Sequence, residues 1–414
     1  MTAAQPATPR EFDLVVFGAT GFTGRLVAEY LQRTRADNPP LRWALAGRQV
    51  ARLARVRDEL GLGEGVPLLE ADATDPAAMA TLAGRTRAVI TTVGPYQRHG
   101  EALIRACAAA GTDYLDLCGE PAWMAAMIPA LQPVAAASGA RLVFSCGFDS
   151  IPFDLGVVFL QQAALERFGT PLTRVNARVT VMKGTFSGGT AASLLASVEA
   201  AGRDPAVRRA LVDPFALTPG FRGPRQPADG PVALADELDG GWTAPFVMAP
   251  INTKNVHRTH FLRGHPWGTD FRYSERLATG DGPAGERRAR ALARQTRWQN
   301  LALAFAPTRA LVRRFVLPAP GEGPTAEQRE RGRYELRFTG ETADGRRLRA
   351  VVRGDRDPGY GSTSKLISEA ARCLLTDIDH RATPGGVWTP GAAMGLRLVE
   401  RLHERAGLRF DVDG

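Results

Sequence analysis

The chain has little cysteine: Cys107, Cys118, Cys146 and Cys373 are all it carries in 414 residues. They are too few and too scattered to staple a secreted fold or to form a paired zinc knuckle, so reduced thiols in a cytoplasmic protein are expected. No stretch reaches the roughly eighteen unbroken apolar residues that would mark a membrane-spanning helix. The nearest, Leu301 to Leu317, is interrupted by Arg309, Arg313 and Arg314. The segment before Glu11 is short and polar, lacks the apolar centre of a signal peptide, and reads as a frayed end. Long basic runs, a zinc pattern and a recognition helix are also missing, which argues against a nucleic-acid partner.

What is present is an ordinary soluble composition, 44% apolar and 23% charged, with a formal charge of +9 and a pI near 9.9. That balance excludes wholesale disorder, and the length suits two or three domains. The charge excess fits a phosphorylated ligand, an anionic lipid or an acidic partner, and composition does not choose among them.

Phe12 to Phe17 is an apolar, β-branched run that meets GATGFTG, after which Arg25 opens a helical pattern. Strand, glycine turn and helix in that order predict a dinucleotide site over Gly18, Thr20, Gly21, Phe22, Thr23 and Gly24, where the backbone approaches a pyrophosphate and the helix start attracts it. Strands predicted at 41–46, 66–69, 88–93, 114–117 and 141–144, alternating with helices, extend this into a six-stranded parallel sheet over 11–150. Its ligand crevice lies at the strand C-termini. After the second strand the chain has Arg48 where an NAD enzyme usually has an acid, so NADPH, with its extra phosphate, is the expected cofactor. Asp72 and Ala73, after the third strand, are placed to meet adenine, although Asp72 could instead cap the next helix. Thr92, Gly94 and Pro95 end the fourth strand and should line the nicotinamide half.

Tyr96 is a candidate proton donor and substrate contact, with amphipathic packing as the alternative. Asp149 sits in a turn facing the same place and serves either chemistry or as a helix cap. From about residue 171 the period changes to alternating runs, at 174–182, 257–262, 269–276, 333–338 and 348–353, which predict one antiparallel sheet in an α+β domain spanning 151–355. Lys183 ends its first strand and precedes Ser187, Gly188, Gly189 and Thr190, a helix start suited to a carbonyl, carboxylate or phosphate. Residues 356–414 read as helices returning to the first domain. No metal site is indicated. The fold class is therefore α/β, a Rossmann-type parallel sheet with a second α+β domain.

FGATGFTGR, ALAGR, TTVGPYQRHG, YLDLCGE, GFDSIPFDLG, SGGT, GYGSTSKLISEA and GGVWTPGAAMG together resemble the saccharopine dehydrogenase-like proteins, and more narrowly the trans-acting enoyl reductases of mycobacterial polyketide lipid assembly. The resemblance runs from residue 12 to the closing helix. It implies an NADPH-dependent oxidoreductase, a carrier-bound or lipid-like enoyl thioester as substrate, and a polyketide synthase or acyl carrier protein as partner. It assigns cofactor contact to Gly18, Thr20 to Gly24, Arg48 and Gly94 to Tyr96, and substrate contact to Ser187 to Thr190. An imine or ketone reductase, and a silent NADP-binding scaffold associated with lipid, are the rivals. A homodimer and a peripheral membrane contact are compatible with the basic surface.

Overall fold

The computed structural model describes residues 10–184, 188–227, 230–305, 307–308 and 323–413. One sheet is wholly parallel: β1 (Phe12–Phe17), β2 (Trp43–Gly47), β3 (Leu68–Glu70), β4 (Thr86–Thr91), β5 (Asp113–Leu115) and β6 (Arg141–Val143) lie in the order 3-2-1-4-5-6. All six β1 residues are buried, because a central parallel strand is covered by helices on both faces. β4 ends at Thr91, earlier than the alternation predicts, so Thr92 to Pro95 fall in the crevice beyond the strand.

A seventh strand, Gly386–Trp388, pairs parallel with β6 and comes from the far end of the chain. Three residues carry too short a pattern to be read as a strand. The tail is thus not only helical, as the sequence suggests. Its last strand, Leu408–Asp413, forms the edge of the second sheet, and its helix Thr363–Arg372 packs on the helix Phe22–Arg33. There the Tyr30 hydroxyl donates to buried Glu369 at 2.9 Å, and Arg401 binds the other carboxylate oxygen. In the first sheet, buried Arg141 joins β6 to Asp113 of β5 and donates to the Ile378 carbonyl at 3.1 Å.

The second sheet also has seven strands. β7 (Leu172–Lys183) and β10 (Arg272–Gly280) pair parallel, and the remaining pairs, formed with β8 (Leu234–Ala235), β9 (Trp242–Pro245), β11 (Arg333–Thr342), β12 (Arg347–Gly354) and the C-terminal strand, are antiparallel. The expected strand at 257–262 is wrong. Those residues end a helix, Ala249–Leu262, in which Ile251 to His260 are all buried. Burial all round erases the amphipathic period, and several of its polar side chains bond to groups on other elements. Asn252 donates to Glu275 at 2.7 Å, Lys254 to the Leu211 and Pro250 carbonyls at 2.9 Å each, and Arg258 to the Leu217 and Val387 carbonyls at 2.6 and 2.7 Å.

Candidate functional site

At the C-terminal end of β1, Gly18 adopts φ +88° and lies so close to β4 that a Cβ would meet Val93 Cγ2 at 2.6 Å and Thr92 Oγ1 at 2.9 Å. A Cβ at Gly24 would meet the Gly18 carbonyl oxygen at 2.3 Å, so the first helical turn rests directly on the glycine turn. At Gly21 a Cβ would touch only the Gly18 carbonyl, at 3.3 Å, and would otherwise enter the space a pyrophosphate needs. Gly21 is the N-cap of the helix Phe22–Arg33; no side chain caps the helix start and no acid lies in its first turn, leaving N–H groups and the positive end of the dipole for an anion. These features fit a dinucleotide.

Arg48 is exposed just past β2. Asp72 accepts from the Thr74 N–H at 2.9 Å and its hydroxyl at 2.8 Å, and these bonds, with lesser contributions from the nearby positive charges of Arg48 and His99, hold its carboxyl below the usual range. The following helix, Pro76–Arg85, is capped by Asp75 and not by Asp72, while Ala73 is buried in the core and offers only its backbone. Phe22 turns from the crevice: its ring stands edge-on to Tyr360, with centroids 4.7 Å apart.

Beyond the glycine turn lies a cavity of about 280 Å³, between the ends of the parallel strands and the helices Gly188–Arg203 and Ala249–Leu262. Its cofactor side is formed by Thr23, Thr92, Gly94, Tyr96, Ser145 and Asp149, and its far wall by Leu194, Leu211, Val247, Met248 and Ile251. Neither lysine nor arginine lines it among the described residues. Gly189 reaches it from the helix Gly188–Arg203, and the Gly188 N–H donates to the Tyr360 hydroxyl at 2.9 Å. Phe22, Tyr360 and Gly188 thus connect the cofactor turn to the substrate helix.

Tyr96 lines the cavity, but its hydroxyl donates to the Thr91 carbonyl at 3.2 Å and accepts from the Leu117 N–H at 3.0 Å, while burial pushes its pKa well above the ordinary phenol value. Those bonds tie the ends of β4 and β5 together and disfavour a role as proton donor. Lys183 is exposed at the end of β7 and is not among the cavity's lining residues. Asp149, half-buried, does line the cavity. The N-cap position of the following helix, Ile151–Phe168, is Ser150, whose side chain makes no capping bond. Ser187 lies outside the described residues; Thr190 is in the first turn of its helix.

Two residues without a role in the sequence reading organise this site. Buried Glu120 accepts from the Tyr96 and Gln97 N–H groups at 2.8 and 2.9 Å and from the Ser193 hydroxyl at 2.7 Å, so one carboxylate holds both the nicotinamide-side turn and the substrate helix. Buried Asp116 accepts from the Cys118 and Ser145 N–H groups and from the Tyr114 hydroxyl, and burial raises its pKa to about 7 against those bonds. Ser145, at φ +62°, is thereby held in a left-handed conformation at the cavity wall. The acid in CGEP stands visibly at a predicted strand end, but its partner Ser193 is seventy-three residues away.

The profile of the saccharopine dehydrogenase NADP-binding domain family matches residues 14–143. A trans-acting enoyl reductase of Mycobacterium ulcerans is 39% identical over 417 aligned residues, covering 97% of both chains. A Mycobacterium tuberculosis protein, provisionally described as a trans-acting enoyl reductase, is 45% identical over 96% of both chains. Among solved structures, saccharopine dehydrogenase of Saccharomyces cerevisiae superposes with a TM-score of 0.53 over 97% of this chain and 100% of its own, at 12% identity, which speaks to fold alone. The chain belongs to the trans-acting enoyl reductase family and is an NADP-dependent oxidoreductase built on the saccharopine dehydrogenase fold.

Proposed function

We propose that the protein reduces the carbon–carbon double bond of an acyl or polyketide enoyl thioester, presented by a carrier protein of a separate polyketide synthase. The observation that carries this reading is the cavity lining. A substrate with several carboxylates calls for converging cations, and the wall opposite the cofactor side is Leu, Val, Met and Ile. That disfavours the imine-reducing alternative.

NADPH, when bound, supplies the hydride that forms the new C–H bond at the β carbon; the double-bond electrons move toward the thioester carbonyl, and the α carbon then takes a proton. The chain's own part is positioning. Glu120 fixes Gly94 to Tyr96 against the ring and Ser193 against the substrate, so both approach from set directions. The hydroxyls of Ser145, Ser150 and Ser193 already donate to the Cys118 carbonyl, the Asp149 carbonyl and Glu120. Among the ionisable lining groups, Tyr96 and Cys118 are buried with raised pKa values, which disfavours both as the source of that proton. Arg48 takes the 2′-phosphate.

Purified protein, NADPH and a series of enoyl thioesters on carrier protein or a short pantetheine arm test this, with nicotinamide absorbance and product mass as readouts. Saturated product is expected. Saturable NADPH binding without product at any chain length overturns the reading, and turnover of an imine instead restores the alternative.

A further inference from the structure

We propose that the outer half of the helix Gly282–Ala304 is a docking surface for anionic phospholipid, holding the enzyme reversibly at a membrane face. The inner half of this helix is anchored: Gly285, Ala289 and Ala293, at four-residue spacing, are its buried positions. Beyond Ala293 no residue of the helix is fully buried, and over its last eleven residues, about 16 Å of helix, only Thr296, Ala302 and Leu303 are partly covered. On this part Trp298, Leu301 and Phe305 are 69%, 60% and 63% exposed. A spacing of three puts Trp298 and Leu301 on one side of the helix, and Phe305 follows at its extended C-cap. Large apolar side chains exposed to this degree are a recognition feature.

Charge identifies the partner. From Arg287 to Phe305 the sequence carries Arg287, Arg288, Arg290, Arg294 and Arg297 and no acid. Arg290 is paired with Glu286 at 2.5 Å, and Arg288 donates to the Thr279 carbonyl at 2.8 Å. Arg294 and Arg297 make no ion pair among the described residues, and they line, with Arg290, a surface cleft against Pro231, Val232 and Ala233 that contains no acid. A tryptophan and two other large apolar groups beside guanidinium groups match the boundary between acyl chains and phosphate headgroups. The helix does not cross a membrane, because no helix among the described residues is long and apolar enough. Three apolar anchors and a few cations give weak, salt-sensitive and reversible attachment. An enzyme acting on greasy chains gains from that location, but the surface is argued independently of the reaction.

Co-sedimentation of the full chain with phosphatidylcholine vesicles containing increasing phosphatidylglycerol tests it. Binding should rise with the anionic fraction and fall with salt. W298A/L301A/F305A and, separately, R294E/R297E should each lower partitioning at least tenfold, with melting temperature and NADPH affinity unchanged. Absence of wild-type binding, or equal binding by both variants, overturns the proposal. So does light scattering that shows a dimer dissociated by the triple substitution, since the stripe would then join two copies.

Discussion

Replacing Tyr96 by Phe separates a structural hydroxyl from a catalytic one. The substitution removes one oxygen and leaves the ring, which lies 5.9 Å from Trp123, in place. It breaks two bonds at the crevice: the Thr91 carbonyl loses a donor at 3.2 Å, and the Leu117 N–H loses an acceptor at 3.0 Å. Tyr96 is 4% exposed, so the strand ends it joins are not rescued freely by bulk water, although the adjoining cavity can admit one molecule to Leu117. An orphaned buried polar group costs about 1–3 kcal/mol, and a partly watered one falls toward the lower end, so a loss of ~1–2 kcal/mol is expected in urea unfolding. Hydride transfer, followed by single-turnover loss of nicotinamide absorbance, should change by less than about tenfold, because general acid catalysis worth 10²–10⁴ is not what the hydroxyl supplies. A drop of a hundredfold or more with unchanged stability would refute this and return Tyr96 to the role of proton donor.

Arg48→Ala should weaken NADPH binding by roughly tenfold to a hundredfold, the value of a charge-assisted phosphate contact, while NADH binding measured by the same fluorescence titration stays nearly constant. Gly24→Ala places a methyl 2.3 Å from the Gly18 carbonyl oxygen; the turn must shift, costing about 1–3 kcal/mol in unfolding experiments and at least tenfold in NADPH affinity. Asp154 is fully buried, accepts from the Gly391 N–H at 2.7 Å, and has its pKa raised to about 7 chiefly by desolvation. The folded state therefore holds a proton that the unfolded chain releases near pH 4, so stability is complete in acid and declines from about pH 4 to 7, by at most about 1.4 kcal/mol per unit for this group. Asp154→Asn, compared with wild type in urea unfolding at several pH values, should flatten that decline; an unchanged slope would show the carboxyl to be charged when folded.

Much of the nucleotide half was legible because its signals are local. An apolar run, three glycines and a helix start occupy adjacent residues, and each needs only its neighbours to be understood. The central strands were displaced by one or two residues, since periodicity marks an element more sharply than its ends. The 249–262 helix defeated the same reasoning: with every side of its inner turns buried, there is no alternation between water and core to print a helical period on the sequence. The seventh parallel strand was too short to carry a pattern, and it exists because Gly386 to Trp388 find the open edge of β6, more than two hundred residues earlier.

By itself the sequence determined the kind of ligand: glycine spacing between a strand and a helix specifies a phosphate-rich dinucleotide through short-range backbone sterics. Tertiary structure decided which polar side chains meet the cavity. Tyr96, Lys183 and Asp149 were all candidates along the chain, and only folding engages the Tyr96 hydroxyl with two backbone groups, leaves Lys183 exposed at a strand end and brings Asp149 to the cavity. The apolar wall of the cavity was likewise invisible, because Leu194, Leu211, Val247 and Ile251 come from three separate helices and a loop and become one surface only in the folded chain.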